Sequence, residues 1–193
     1  MAFVIIDEED LAGKRPKLIQ EFLLPLASEN GVACYADKAS IAEGRVFATH
    51  DGHAAGKGYR DWRFASKHRD IRCSYFERWK PAEQSKRWFL DRAYLTLFLT
   101  NRILHKEQEL LCVHSDPNNT DSIPMQGFKK GPHLHVKHEE ETLCHAHFPL
   151  TIGYVDEVVK SVPELTRVLK EVVSLLSIEV VERFEKASKQ TLS

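Results

Sequence analysis

The sequence predicts an α+β fold: an antiparallel β-meander sheet with an N-terminal helix and a long C-terminal helix packed on one face. Three observations carry this reading. Apolar residues recur at helical spacing near the start and through the last third of the chain, the middle alternates with period two, and polar links with proline separate the alternating stretches.

The chain opens Met1-Ala-Phe-Val-Ile-Ile6 and then Asp7, Glu8, Glu9 and Asp10, an apolar run too short for a signal peptide and without a basic flank. Residues 14 to 29 read as a helix, with Leu18, Ile19, Phe22, Leu23 and Leu26 on one side, Pro25 as a kink and Gly31 as a stop. From Val32 to Arg69 the pattern weakens, and Gly44, Gly52, Gly56 and Gly58 favour short strands joined by a long loop around His50 to Arg60. Ile71 to Trp79 and Trp88 to Thr100 are aromatic and β-branched, so they are expected to pair antiparallel across a connection that holds Pro81. Leu110 to Ser115 continues the meander, and Asp116 to Gly131 reads as a second long loop.

The C-terminal helix is the clearest element. Ser161, Pro163 and Glu164 form a capping-box signature. Leu165, Val168, Leu169, Val172, Leu176 and Val180 then make one apolar stripe that extends toward Phe184. The stripe suits either a cover for the chain's own sheet or a homodimer contact.

At 193 residues the chain suits one domain, residues 1 to 193, large enough to bury a core without disulfides. Cys34, Cys73, Cys112 and Cys144 lie far apart with no C-x-x-C pair, so reduced thiols and a cytoplasmic setting are expected. No stretch reaches the roughly 20 apolar residues of a membrane-spanning helix, so no membrane partner is expected. With a formal net charge of -1, any polyanion must be held by a local patch.

Chemistry concentrates in Gly131 to Pro149, which carries two His-x-His pairs, His133 with His135 and His145 with His147. Residues two apart share a strand face. If Leu134 and Val136 on one strand, and Cys144, Ala146 and Phe148 on the other, face the core, odd positions oppose odd ones and all four histidines share the other face. In the most compact register, turning at Glu139 to Glu141, His133 opposes His147 and His135 opposes His145. Four imidazoles so placed could hold a divalent transition metal such as Zn, or act as general acid and base on a phosphodiester. Charged together at low pH, they could instead form a pH-sensitive surface.

The pattern resembles the paired histidine motifs of two-histidine phosphoesterases. Those carry Ser or Thr two residues after the histidine, where this chain has His135 and His147, so the likeness stops short of membership. Pro132-His133-Leu134-His135 ahead of a C-terminal helix also resembles small proteins of prokaryotic toxin-antitoxin and defence loci, over a hairpin's length.

Upstream, Lys57, Arg60, Arg63, Lys67, Arg69 and Arg72 begin a segment to Leu90 in which ten cations meet four acids, and all three tryptophans lie within it. Interleaved cations and rings are what RNA or another single-stranded nucleic acid would need, although strand aromatics filling a core give the same pattern. His114-Ser115-Asp116 could set a histidine beside a carboxylate at a strand end. The function expected is a phosphodiester-directed hydrolase or nuclease, with His133, His135, His145, His147 and His114 as catalytic residues and the first four as metal ligands. The alternative is a non-catalytic nucleic-acid- or protein-binding regulatory or defence-associated protein.

Overall fold

The computed structural model describes residues 4–38, 44–52, 58–82, 86–101, 103–104, 106–116, 133–136, 146–149 and 161–190. Its elements are β1 (Ile5–Asp7), α1 (Glu8–Gly13), α2 (Arg15–Leu23), β2 (Ala33–Ala36), β3 (Arg45–His50), a 3-10 turn (Tyr59–Asp61), β4 (Phe64–Ala65), β5 (Ile71–Pro81), β6 (Arg87–Asn101), β7 (Lys106–Ser115), β8 (His133–Val136), β9 (Ala146–Pro149) and α3 (Val162–Leu176). A π-helical stretch (Ser177–Glu182) then leads into α4 (Arg183–Gln190). The sheet runs β2-β3-β5-β6-β7-β8-β9, with every pairing antiparallel, and β1 and β4 add to β6 and β5. The fold is therefore α+β, as the periodicities predict. Among the described residues no helix is long and apolar enough to cross a membrane.

The central strands exceed their predicted spans, because β7 begins at Lys106 and turns the expected polar link into sheet. The first helix is shorter than the predicted 14 to 29. It stops at Leu23, two residues before Pro25, whose nitrogen cannot extend the ladder. Leu26 and Ala27 then turn back on Leu23 O, and Ser28 donates its amide to Ala65 O. Neither β1 nor α1 carried a sequence expectation. Glu8, Glu9 and Asp10 occupy the first turn of α1, where carboxylates favour a helix start, and α1 buries Leu11. One glycine has no substitute: Gly44 enters β3 at φ +115, and a Cβ there would collide with the Trp79 carbonyl.

Alternation gives the sheet two unlike faces. Along β5, Ile71, Cys73, Tyr75, Glu77 and Trp79 are buried toward α2 and α3, together with Leu90, Leu95 and Leu97 of β6. On α3 the predicted stripe is buried within the chain itself, through Leu165, Val168, Leu169, Val172 and Leu176. The Ser161 hydroxyl accepts the Glu164 amide at 3.3 Å, the expected cap. Past Leu176 the wider π turn passes burial to Val181 rather than Val180, and Ser177 Oγ donates to Pro25 O at 2.9 Å.

At the centre of this core lies an ion pair. Arg15 and Glu77 are both fully buried; Arg15 Nε reaches Glu77 Oε2 at 2.9 Å, and Arg15 NH1 donates to Thr166 Oγ1 at 2.5 Å. Glu77 also accepts from the Tyr75 hydroxyl, and from Trp79 Nε1 at 3.0 Å. Burial alone would lower the Arg15 pKa, but Glu77 beside it raises it, so the guanidinium stays charged. Removing one partner leaves the other as an uncompensated buried charge. Arg15→Met is expected to cost about 3–5 kcal/mol. An unchanged midpoint in urea unfolding, set beside the unaltered chain, would contradict this.

Candidate functional site

The other face of the sheet is polar, and it is organised in cross-strand rows. Residues opposite each other in an antiparallel pair share a face, and successive rows on that face lie about 7 Å apart. One row reads Ser74, Thr96, Cys112, His135, His147 from β5 to β9. The next reads Phe76, Tyr94, His114, His133, Pro149. Four histidines, His114, His133, His135 and His147, thus occupy positions on one face, in two adjacent rows.

The parity argument holds, since odd positions of β8 oppose odd positions of β9. The compact register does not. His133 lies opposite Pro149, and His135 opposite His147, a shift of two residues from the expectation. The reason is the period of two. A two-residue shift leaves every face unchanged while replacing every partner, so alternation does not choose between the two registers. His145, Glu139 to Glu141 and Cys144 lie outside the described residues.

His114 lies at the end of β7 with its side chain buried. Its Nδ1 lies 2.8 Å from Asp116 Oδ2, and both residues are buried. An ionised carboxylate only accepts, so Nδ1 carries the proton of this bond. The Tyr94 hydroxyl donates to the same Asp116 oxygen at 3.1 Å, and its ring meets His114 edge-on with centroids 4.7 Å apart. Burial first, and then the Asp116 charge, push the Tyr94 pKa well up, which keeps this hydroxyl a donor. The sequence places a histidine beside a carboxylate at a strand end. It gives no sign of Tyr94, whose part depends on the β6–β7 register.

The predicted basic group is divided by the fold. Lys57 lies outside the described residues. Arg60, Arg63 and Arg72 are on the polar side: Arg60 Nε reaches Tyr59 OH at 3.3 Å, Arg63 lies 3.9 Å over the Phe98 ring and 3.4 Å from Glu107, and Arg72 pairs with Asp51 at 3.0 Å. Lys67 sits at the sheet end near the helices, and Arg69 Nε lies 3.6 Å from Asp70 Oδ2. The Lys67 amide donates to Leu26 O, and the side chain lines an open cavity of about 540 Å³ with Ala27, Ser28, Glu29 and Asn30. This cavity shares no residue with the histidine rows. Of the tryptophans, Trp79 is core and Trp62 covers the polar face with Tyr59, Val46, Ala48 and Phe76.

Among the described residues no group of three or more His, Cys, Asp or Glu is placed to hold a metal ion. Cys34, Cys73 and Cys112 are free thiols, and burial pushes Cys73 and Cys112 up to about 12, so they stay protonated near neutrality. Comparison with known protein families, with curated proteins and with solved structures found no match for this chain.

An aromatic stack lies on the same face. His50 stacks on Tyr35 with centroids 4.3 Å apart and meets Trp62 edge-on at 4.8 Å. Its Nδ1 accepts the Gly52 amide at 2.9 Å, a bond available only to an unprotonated nitrogen. Burial lowers the His50 pKa from 6.5, with Asp51 pulling the other way. A lowered folded value means that the unfolded chain binds the proton first. The contribution to stability is therefore present above about pH 6.5 and is lost as pH falls through the folded value. A nuclear magnetic resonance titration should give His50 a midpoint below 6.5; one at or above 6.5 contradicts the assignment.

Proposed function

We propose that this chain is a phosphodiester-directed hydrolase of the nuclease kind, working on single-stranded nucleic acid across its histidine-bearing sheet face. The observation that carries the reading is the His114–Asp116 pair at 2.8 Å, with His133 at the register position opposite His114. Asp116 fixes the His114 tautomer and steadies the imidazolium that forms when Nε2 removes a proton from the attacking hydroxyl or water. A second imidazole, at position 133, 135 or 147 or at the neighbouring His145, returns a proton to the leaving oxygen. Phosphodiester cleavage needs these two transfers. The hairpin histidines His133, His135, His145 and His147 could alternatively hold a divalent transition metal such as Zn, which would supply a Lewis acid to the phosphate. A cytoplasmic setting suits the reduced thiols.

A specific observation supports a second reading. The Tyr35–His50–Trp62 stack on the same face is the kind of ring platform that a single-strand binder uses without chemistry. One experiment separates the two. The purified chain is incubated with labelled single-stranded RNA and DNA, with and without a chelator. Cleavage is expected, and His114→Ala should slow it by about 10²- to 10⁴-fold with an unchanged circular dichroism spectrum. Chelator sensitivity would select the metal route. Binding without cleavage would select the second reading, and equal rates for the parent and His114→Ala would remove His114 from the chemistry.

A further inference from the structure

Beyond the Tyr94–His114 row, the polar face holds a second built cluster. The β5–β6 register passes from Arg78 opposite Arg92 to Trp79 opposite Leu90, so Asp91 is an extra residue with no partner across the ladder. Such a bulge re-aims a side chain and often lies beside a functional site. Here it turns the Asp91 carboxylate toward the cations of the polar face. Arg78 meets Asp91 Oδ2 through Nε at 2.6 Å and NH2 at 2.5 Å, Arg92 Nε meets Oδ2 at 3.0 Å, and Lys80 Nζ meets Oδ1 at 3.0 Å.

Three cations therefore surround one carboxylate. Arg78, with two nitrogens on Oδ2, is already a full counter-charge and is itself largely buried. Lys80 and Arg92 add two further positive charges, and their side chains are 45% and 35% exposed, so solvent and a ligand can reach them. Asp116 also acts on Arg92, so two carboxylates face three cations and one positive charge is left over, and like charges held this close repel one another unless a further anion joins them. Arg92 is also two residues along β6 from Tyr94, one row from the His114–Asp116 pair.

We propose that Lys80 and Arg92, held in place by Asp91 at the β5–β6 bulge, form a phosphate-binding subsite one row from His114. In this arrangement Asp91 and Arg78 are positioning residues, and Lys80 and Arg92 meet the phosphate oxygens. This deepens the proposed function and rests on it for the choice of a nucleic-acid phosphate as ligand. The subsite is distinct from the Arg60, Arg63 and Arg72 group, whose members are engaged by Tyr59, by Phe98 and Glu107, and by Asp51.

The test reads binding rather than cleavage, so it is decided separately from the hydrolase reading. A fluorescein-labelled 2′-O-methyl oligoribonucleotide, which lacks the free 2′-hydroxyl, is titrated with the full chain and followed by anisotropy over a range of salt. Lys80→Gln/Arg92→Gln leaves the Arg78–Asp91 pair intact, and it is expected to weaken binding at least about tenfold. The slope of log Kd against log salt should fall by about 1.4, the loss of two phosphate contacts on a single strand. Lys80→Arg/Arg92→Lys, which keeps both charges, should stay within about threefold of the parent, and so should Arg167→Gln/Arg183→Gln on the exposed side of the C-terminal helices. The proposal is overturned if the parent does not bind, if the Lys80/Arg92 pair changes neither affinity nor slope, or if the Arg167/Arg183 pair costs as much.

Discussion

The two faces of this sheet are told apart by one buried charge pair. Glu77 sits in mid-strand between Tyr75 and Trp79, all three on the same side of β5, and Arg15 reaches it from the first turn of α2. A carboxylate in that position must meet its cation or the strand cannot bury this side. Because Arg15 also holds Thr166, the same contact ties α2 and α3 to a single strand. The helices therefore lie over the odd residues of β5, and the even residues, from Arg72 through Phe76 to Lys80, are left to the polar face.

Each strand is thereby divided between two tasks. On β6, Leu95 and Leu97 are fully buried against the helices, while Tyr94 and Arg92 stand on the side that carries His114 and Asp116. Ordinary alternation brings Tyr94 to His114. It does not bring a carboxylate to Arg78 and Lys80, and the irregular residue at Asp91 does that. Burial alone would raise the Asp91 pKa, but its bonds to Lys80 and Arg78 outweigh this and hold it below the usual carboxylate range.

Much of this was legible in the sequence because period two and period 3.6 are local signals. Ile71 to Trp79, Trp88 to Thr100 and the Ser161 cap are each read from neighbours a few residues apart. What escaped depends on distant partners. Nothing near Glu77 marks it as the mate of Arg15, sixty-two positions away, and in the sequence it counts as one acid within a basic run. The histidines show where the boundary falls. Alternation fixes the face of His133, His135 and His147, but not the partner of each, because registers that differ by two bury the same residues. The basic run is dispersed for a related reason: positions close in sequence, such as Arg63 and Lys67, go to different parts of the fold once β4 and its flanking turns intervene.

The π-helical stretch at Ser177 to Glu182 bears on how the gene can change. In an α-helix each residue advances the side chains by about 100°, so losing one residue from α3 would swing everything beyond it off the sheet. The π stretch already holds one residue more than an α-helical path would use, and it lies between the buried stripe ending at Leu176 and Phe184, whose ring reaches His68. A one-codon deletion there has slack to consume, since the backbone can return to α geometry with Phe184 still on its side of the helix. The C-terminal helix is in this sense jointed for length, and a shortened sequence could keep the same packing.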